Sequence, residues 1–290
     1  MDVQQDLETV ELVTRPTQST QFYLFNLFAD YIVPRGGRIW TSDLLYLLDL
    51  LEVSERAARS TLSRMKKRGW FITRREGRES QYLLTSRGQA ILAQGEQRIF
   101  EEPFTDWDKQ WRLVVYSLPE ELRAERNELR TKLIWLGFGS LAPGTWISPH
   151  PREEDVFAIF SDLDVRDYVA VFTGDTPARD EEIVRECWDI AVLAADYREF
   201  LARYRPEYEA NKAAEAGGQA VVTPEEAFLR RFWFTYAFQT FPRRDPNLPT
   251  QLLPDDWPGF EARQLFLDYR RLLSHSMGDF LDDLIGARQA

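Results

Sequence analysis

The sequence predicts an α+β protein, and three patterns support this fold class. Residues 19–98 read as three amphipathic helices, a β-hairpin and a further helix. Residues 111–176 alternate between strand and helix patterns, whereas residues 177–290 carry almost only helical spacing. The chain has 290 residues, 44% of them hydrophobic, which is enough to bury a core in each region.

Composition removes several classes of function. No apolar run of about 18 residues is present, so we expect no membrane span. The acidic first residues lack the apolar segment of a secretory signal. One cysteine, Cys187, excludes a disulfide framework, and two histidines, His150 and His275, leave little for zinc ligation or histidine-based catalysis. We therefore expect a cytoplasmic protein that is not an enzyme and has neither a metal nor a cofactor.

The N-terminal region begins with an arm and a helix. Residues 1–18 are acidic with Thr, Gln and Pro, as in a flexible arm. From Ser19 onward, apolar residues recur every three or four positions, at Phe22, Phe25, Phe28 and Ile32. Pro34 and the pair Gly36-Gly37 end this helix, and residues 38–40 are a candidate strand.

Two further helices and a hairpin follow. The second helix covers the leucine-rich segment after Thr41, and the third begins at the cap Ser54 and ends at Gly69. Alternating strand patterns flank Gly77, which predicts a hairpin turn there, and Thr85 caps another helix. This order of elements is that of a winged helix-turn-helix domain, which we assign to residues 19–98.

Charge is distributed unevenly along the chain. The formal net charge is −11, but residues 54–87 hold ten arginines and lysines against three glutamates. This segment therefore carries +7, and the remainder of the chain carries −18. Because phosphates respond to nearby charge more than to distant, screened charge, a basic patch on an acidic body can still bind nucleic acid.

The third helix has one apolar and one polar face. At about 100° per residue, Ala58, Leu62 and Met65 lie on the inward side. The opposite side carries arginine, serine and lysine, which bind guanine edges or phosphates. If only this helix were basic, an ordinary solvated surface would explain its charge. The hairpin tip is also positively charged, however, and it would lie beside the minor groove or the phosphate backbone of DNA bound to the helix. The predicted DNA-binding residues are Arg56, Arg59, Ser60, Ser63, Arg64, Lys66, Lys67, Arg74, Arg75 and Arg78.

Residues 99–110 form the predicted linker to two further domains. Strand patterns at 111–119, 145–148 and 167–173 alternate with helical patterns at 120–136 and 153–160. This β-α-β-α-β order fits a ferredoxin-like domain over residues 111–176. Helical patterns at 181–189, 192–204, 224–241 and 257–284 predict a mainly helical C-terminal domain over residues 177–290.

Several short motifs occur in order along the chain: FNLF at 25–28, PRGG at 34–37, AARSTLSR at 57–64, GW at 69–70, WRLVVY at 111–116, LGFG at 136–139, GTWIS at 144–148 and LPDDWPG at 253–259. Together they resemble the motifs of the PaaX family, bacterial repressors of phenylacetate catabolism. The likeness covers nearly the whole chain. It implies a dimeric repressor of an operator in double-stranded DNA, released by an aryl-acyl-CoA such as phenylacetyl-CoA.

The middle domain also resembles Cas2, a small CRISPR nuclease fold in which a strand-end aspartate contributes to metal binding. The matching position here is Ser117, and a hydroxyl lacks the charge of a carboxylate ligand. Dimer contacts are therefore the role that we expect of this domain. A Cas2-like metal-dependent nuclease remains one alternative function, and a protein-interaction adaptor built on the acidic, aromatic-rich C-terminal half is another.

An aromatic stripe in the C-terminal domain has two explanations. Its members are Phe228, Phe232, Trp233, Tyr236 and Phe241, and such a stripe usually packs in a core. Alternatively, it lines a pocket for an aromatic acyl group, with neighbouring arginines on the phosphates of CoA. The candidate effector-binding residues are Arg230, Arg231, Trp233, Tyr236, Arg243 and Arg244.

Overall fold

The computed structural model describes residues 19–100, 107–176, 179–218 and 222–286. Packing divides these residues into two compact units. We call one the winged-helix unit, which holds the described residues of 19–100, 202–238 and 264–286. The other, the central unit, holds those of 107–201 and 239–263. The predicted arm and residues 101–106 of the predicted linker lie outside the described residues.

The first part of the winged-helix unit has the predicted order of elements. Its helices and strands are α1 (Thr20–Leu27), β1 (Arg38–Trp40), α2 (Thr41–Leu50), α3 (Glu55–Lys67), β2 (Phe71–Glu76), β3 (Glu79–Leu84) and α4 (Ser86–Phe100). Helix α1 starts at the cap Ser19 and continues through a π-helical turn, Phe28–Ile32, and a 3-10 turn, Val33–Arg35. The strands form an antiparallel sheet in the order β1-β3-β2. This arrangement confirms the winged helix-turn-helix.

Aromatic residues fix the hairpin on the first helix. Trp70, directly before β2, and Phe71, the first residue of β2, are almost completely buried. Their rings lie 5.4 Å from Phe25 and 4.6 Å from Phe28, respectively. Large aromatic side chains contribute most of the burial energy of small cores, so this cluster holds the start of β2 against α1 and the π-helical turn that follows it.

The central unit contains a four-stranded sheet. Its elements are β4 (Trp111–Tyr116), α5 (Arg123–Trp135), β5 (Gly139–Ala142), β6 (Thr145–Ser148), α6 (Glu153–Asp162), β7 (Val169–Gly174) and α7 (Asp180–Cys187). The strands pair antiparallel in the order β5-β6-β4-β7. This βαββαβ order is ferredoxin-like, as predicted. The sequence patterns missed β5, which pairs with β6 across a turn at Gly144.

One face of the central sheet packs on its two helices. Val114 of β4 and Trp146 of β6 share a core with Leu129 and Leu133 of α5 and Phe160 of α6. The alternation of inward and outward side chains along β4 explains why Val114 is fully buried while Val115 is exposed.

The last three helices are α8 (Ile190–Ala216), α9 (Pro224–Phe238) and α10 (Gly259–Leu281), followed by a π-helical turn, Asp282–Gly286. Helix α9 and most of α10 belong to the winged-helix unit, where Phe238 stacks on Phe266 at 3.9 Å. Residues 239–263 belong to the central unit. Packing thus divides the C-terminal region differently from the sequence patterns, and the three-domain ranges remain a prediction.

Candidate DNA-binding surface

A short turn positions α3 after α2. Leu51 and Val53 of this turn are buried, while Glu52 between them adopts a left-handed backbone, with φ of 60°. Ser54 then caps α3, because its Oγ accepts a hydrogen bond from the Ala57 amide at 3.4 Å. Two helices joined by so short a turn form a helix-turn-helix motif, with α3 in the place of the recognition helix.

Helix α3 buries the face that the sequence predicts. Ala58, Leu62 and Met65 are fully buried, and Thr61 is buried beside them. The structure exposes all ten predicted DNA-binding residues, seven of which lie on α3 and three on the hairpin. Because apolar contacts hold the inner face in place, the charged outer face can meet a ligand without disturbing the core.

Local contacts orient three of the basic side chains on α3. Arg59 Nε donates to Glu55 Oε1 at 2.7 Å, and Arg64 Nη2 donates to Thr61 Oγ1 at 3.0 Å. Lys66 Nζ donates to Thr73 Oγ1 of β2 at 2.8 Å, which connects the helix to the β2–β3 hairpin, the wing of this domain. The Arg59–Glu55 pair is exposed, so opening it costs only about 0.3–0.5 kcal/mol.

The wing carries its charge at the hairpin tip. Gly77 has φ of 60°, a conformation that glycine adopts readily, and with Arg78 it forms the two-residue turn between Glu76 and Glu79. Arg74 and Arg75 precede this turn, Arg78 lies in it, and all three are exposed. Arg75 Nε also donates to the Gly77 carbonyl at 3.2 Å, which keeps its guanidinium at the tip.

Sequence reasoning left Arg68 out of the candidate site. This residue follows α3, is exposed, and places its guanidinium 5.0 Å from the centre of the buried Trp70 ring. A cation held over a tryptophan face is oriented as well as charged. The signal that would have found it is its place at the end of the basic run 64–68.

The six candidate effector-binding residues fall into both packing units. Arg230, Arg231, Trp233 and Tyr236 lie on α9 in the winged-helix unit, whereas Arg243 and Arg244 lie in the central unit. Carboxylates already hold several of the arginines: Arg230 contacts Glu226 and Glu207, Arg231 contacts Asp30, and Arg244 contacts Asp196.

Part of the aromatic stripe is core and part is accessible. Phe228 and Phe232 are fully buried and Phe241 is nearly so, as in a core. Trp233 is 37% exposed. Tyr236 lies beside it, and both rings pack edge-to-face on Tyr23 of α1, at 5.4 and 5.7 Å. Trp233 and Tyr236 are therefore the candidates that could meet a ligand from solvent.

The two histidines and the cysteine differ in burial and in the groups that surround them. His150 is buried in a loop, where its Nε2 lies 2.8 Å from the Pro246 carbonyl oxygen. His275 is exposed beside Glu215. Burial raises the pKa of the Cys187 thiol to about 11.

Two further kinds of feature are absent from the described ranges. No group of three or more histidine, cysteine, aspartate or glutamate side chains is arranged there to hold a metal ion. No helix in these ranges has the length and apolarity to cross a bilayer.

Family models match three consecutive parts of the chain. Residues 19–88 match the PaaX-like protein model, residues 105–184 the PaaX protein central Cas2-like domain, and residues 188–283 the PaaX-like protein C-terminal domain. The chain belongs to the PaaX family. These matches confirm the family resemblance and the Cas2-like middle domain that the sequence motifs indicated.

Two known proteins are similar to this PaaX-family chain over most of its length. The transcriptional repressor PaaX of Escherichia coli strain K12 is 34% identical over 254 residues, which cover 85% of this chain and 78% of that protein. The structure of an uncharacterized protein from Mycobacterium tuberculosis superposes with a TM-score of 0.60. At 20% identity, covering 91% of this chain and 99% of the other, it shows a shared fold.

Proposed function

We propose that this PaaX-family protein is a sequence-specific DNA-binding transcriptional repressor. The observation that carries the proposal is the exposed basic surface formed by α3 and the tip of the β2–β3 hairpin. The similarity to a protein named as a transcriptional repressor supports it. A basic surface of this kind gives affinity through phosphates and specificity through base edges.

In this proposal α3 lies in the major groove. Arg59 and Arg56 project from its outer face toward base edges, while Lys67 at its C-terminal end binds a phosphate. The hairpin arginines Arg74, Arg75 and Arg78 contact the neighbouring backbone or minor groove. Glu55 would have to release Arg59 on binding, which is inexpensive for so exposed a pair.

We propose that the repressor binds its operator as a homodimer. Two copies related by a two-fold axis would present their α3 helices to successive major grooves, about 34 Å apart. We assign the dimer contacts to the central unit, whose ferredoxin-like sheet carries no residue of the basic surface.

An aryl-acyl-CoA, with phenylacetyl-CoA as the representative, is the proposed effector. Its binding would make the repressor release DNA only if the effector has a higher affinity for an arrangement in which the two α3 helices no longer match the spacing of the major grooves. Trp233 and Tyr236 are the favoured contacts for its aryl group, because Trp233 is exposed, Tyr236 is half-buried beside it, and both pack on α1 of the winged helix. The arginines nearby are paired with carboxylates, so any of them that binds a phosphate must first leave its partner.

A mobility-shift experiment tests the proposal as a whole. The full chain is titrated onto labelled DNA from its own upstream region, and then onto a scrambled duplex of equal length. Acyl-CoA thioesters are added to the complex, with the corresponding free acids as controls. We expect a shift of the upstream fragment that aryl-acyl-CoA reverses and the free acid does not. Equal affinity for both duplexes would contradict a sequence-specific repressor. In a separate assay, degradation of labelled DNA or RNA in the presence of Mg²⁺ or Mn²⁺ would favour the alternative nuclease function.

A further inference from the structure

Strand β2 turns one of its faces toward helix α3. Side chains two positions apart share a face of a strand, so Phe71, Thr73 and Arg75 point the same way. The hydrogen bond from Lys66 Nζ of α3 to Thr73 Oγ1, at 2.8 Å, shows that this way is toward the helix. Along the strand, Phe71 is buried, Thr73 is half-buried and Arg75 is exposed. The space between helix and hairpin is therefore closed at its base and opens toward the hairpin tip.

Strand β3 contributes the second residue of this wall. Tyr82 lies directly opposite Thr73 in the β2–β3 ladder, so the two side chains share a face of the sheet. Both are half-buried, whereas Leu84, opposite Phe71, is buried below them. We call the surface formed by Lys66, Thr73 and Tyr82 the helix–wing seam.

Lys66 and Lys67 lie on different sides of α3. At about 100° per residue, Lys66 lies about 80° around the helix from the buried Ala58, and Lys67 lies about 180° from it. Lys66 therefore faces the hairpin, in agreement with its contact to Thr73, while Lys67 faces away from the core. Both lysines are exposed, but only Lys66 belongs to the seam.

The ammonium and the hydroxyl of the seam can both donate further hydrogen bonds. A lysine ammonium carries other N–H groups besides the one that donates to Thr73. The Thr73 oxygen accepts that bond, so its own proton points elsewhere. Within the part of the chain that the structure describes, no carboxylate pairs with Lys66 and no acceptor takes the Thr73 proton. A positive charge and a neutral donor thus lie side by side, as a phosphate with several oxygens requires.

The geometry of DNA brings a phosphate to the same place. One sugar-phosphate strand separates the major groove from each adjacent minor groove. In the proposed complex, α3 lies in the major groove and the hairpin tip lies at the neighbouring minor groove or backbone. The strand between the two grooves then crosses between the helix and the hairpin. Lys66 and Thr73 come from the two sides of that crossing.

We propose that the helix–wing seam binds one phosphate of the DNA strand that separates the two grooves. Lys66 supplies the positive charge, and Thr73 positions the ammonium and donates its hydroxyl proton to a phosphate oxygen. This inference rests on the proposed DNA-binding function and adds Thr73 to its contacts, an uncharged residue that the basic pattern of the sequence does not include. Because every DNA sequence has this phosphate, the contact contributes equally to operator and scrambled DNA.

Single substitutions in the full chain test the two donors. Thr73→Val removes the hydroxyl and keeps a branched side chain that suits a strand. We expect about tenfold weaker binding to both duplexes, the size of a lost hydrogen bond to a charged group, with an unchanged salt slope. Lys66→Ala should weaken binding and also reduce the slope of log K against log salt by about 1. Thr145→Val, in another half-buried strand threonine on β6, should bind as the native protein does.

Double variants test whether the two donors hold the same phosphate. Removing either one opens the seam, so Lys66→Ala with Thr73→Val should bind little more weakly than the weaker single variant. Lys67 faces another way, so the losses of Lys67→Ala and Thr73→Val should multiply. Native affinity in Thr73→Val would overturn the inference. So would losses that multiply as fully for the Lys66 pair as for the Lys67 pair.

The same measurements separate the seam from the proposed function. If the native protein prefers its operator but Thr73→Val binds equally well, only the seam is refuted. If the native protein binds both duplexes equally and Thr73→Val weakens both, only the sequence-specific repressor is refuted. A native protein that binds neither duplex refutes both. Thermal unfolding of Thr73→Val should match that of the native protein, which excludes a loss of fold as the reason for weaker binding.

Discussion

Asp30 and Arg270 form a buried ion pair, with Oδ1 of the aspartate 2.7 Å from Nη2 of the arginine. Their side chains are only 6% and 11% exposed, and Arg231 Nη1 lies 3.8 Å from the other oxygen of Asp30. Asp30 belongs to the π-helical turn after α1, while Arg231 and Arg270 belong to α9 and α10. One carboxylate therefore connects the first helix of the winged helix-turn-helix to two C-terminal helices.

Removing that carboxylate should destabilise the winged-helix unit strongly. Asp30→Asn leaves two buried guanidinium groups without a counter-ion, and breaking a buried pair in this way costs about 3–5 kcal/mol. Hydrogen exchange of α1 peptides, followed by mass spectrometry, would measure the loss of protection. Asp282→Asn is the control: it removes the partner of Arg35 but lies 65% exposed, so we expect about 0–1 kcal/mol. Equal losses in both variants would refute the role of Asp30.

Two glycines of α4 should respond oppositely to alanine. A Cβ at Gly88 would lie 2.3 Å from the Trp70 carbonyl oxygen. Because this oxygen is a backbone atom, the chain itself would have to shift, so Gly88→Ala should destabilise the protein by about 1–3 kcal/mol. Gly95 has no atom within 4 Å of that position, so Gly95→Ala should stabilise the helix by about 0.5–1 kcal/mol. Thermal unfolding of the two variants measures both signs, and a stabilised Gly88→Ala variant would contradict this packing.

Lys67 should bind DNA without regard to sequence. It is exposed at the end of α3, where a phosphate contact contributes affinity by releasing a counter-ion. Lys67→Ala should weaken binding to operator and scrambled DNA alike, and reduce the slope of log K against log salt by about 1. Lys212→Ala, an exposed lysine on α8, should change neither. A loss confined to operator DNA would instead assign Lys67 to base recognition.

The Cys187 thiol should alkylate slowly until the solution is strongly alkaline. Burial disfavours the thiolate, which is the reactive form, and raises the pKa of this group to about 11. The folded state therefore holds its proton more tightly than the unfolded chain. This contribution to stability is complete below the ordinary thiol pKa and is lost as pH rises through about 11. The iodoacetamide rate of the folded protein should keep rising above pH 9; a plateau near pH 9 would contradict the burial.

Local patterns predicted which side chains of α3 face the core and where the hairpin turns. The inward positions Ala58, Leu62 and Met65 follow from helical periodicity, and the turn at Gly77 follows from glycine between two alternating strands. Both signals lie within about a dozen residues, so a single sequence reveals them.

Features that depend on distant partners were not predictable in this way. Strand β5 contains Gly139, Ser140 and Ala142, which have weak strand preference, and it exists because it pairs with β6. Asp30 and Arg270 are 240 positions apart, and no local pattern marks them as a pair. The same pairing explains why Arg231, chosen from sequence as an effector contact, lies buried against Asp30 in the structure.

The most direct test of the account is operator affinity of Arg59→Ala, measured by fluorescence anisotropy beside Arg198→Ala. Arg198 is a matched control, since it lies within α8, is 52% exposed against 56% for Arg59, and also pairs with a carboxylate. We predict that Arg59→Ala loses about 1–3 kcal/mol of operator binding and discriminates less against scrambled DNA, because a base contact is lost. Arg198→Ala should bind as the native protein does. If Arg59→Ala also keeps native operator affinity, α3 does not read DNA and the proposed function is wrong.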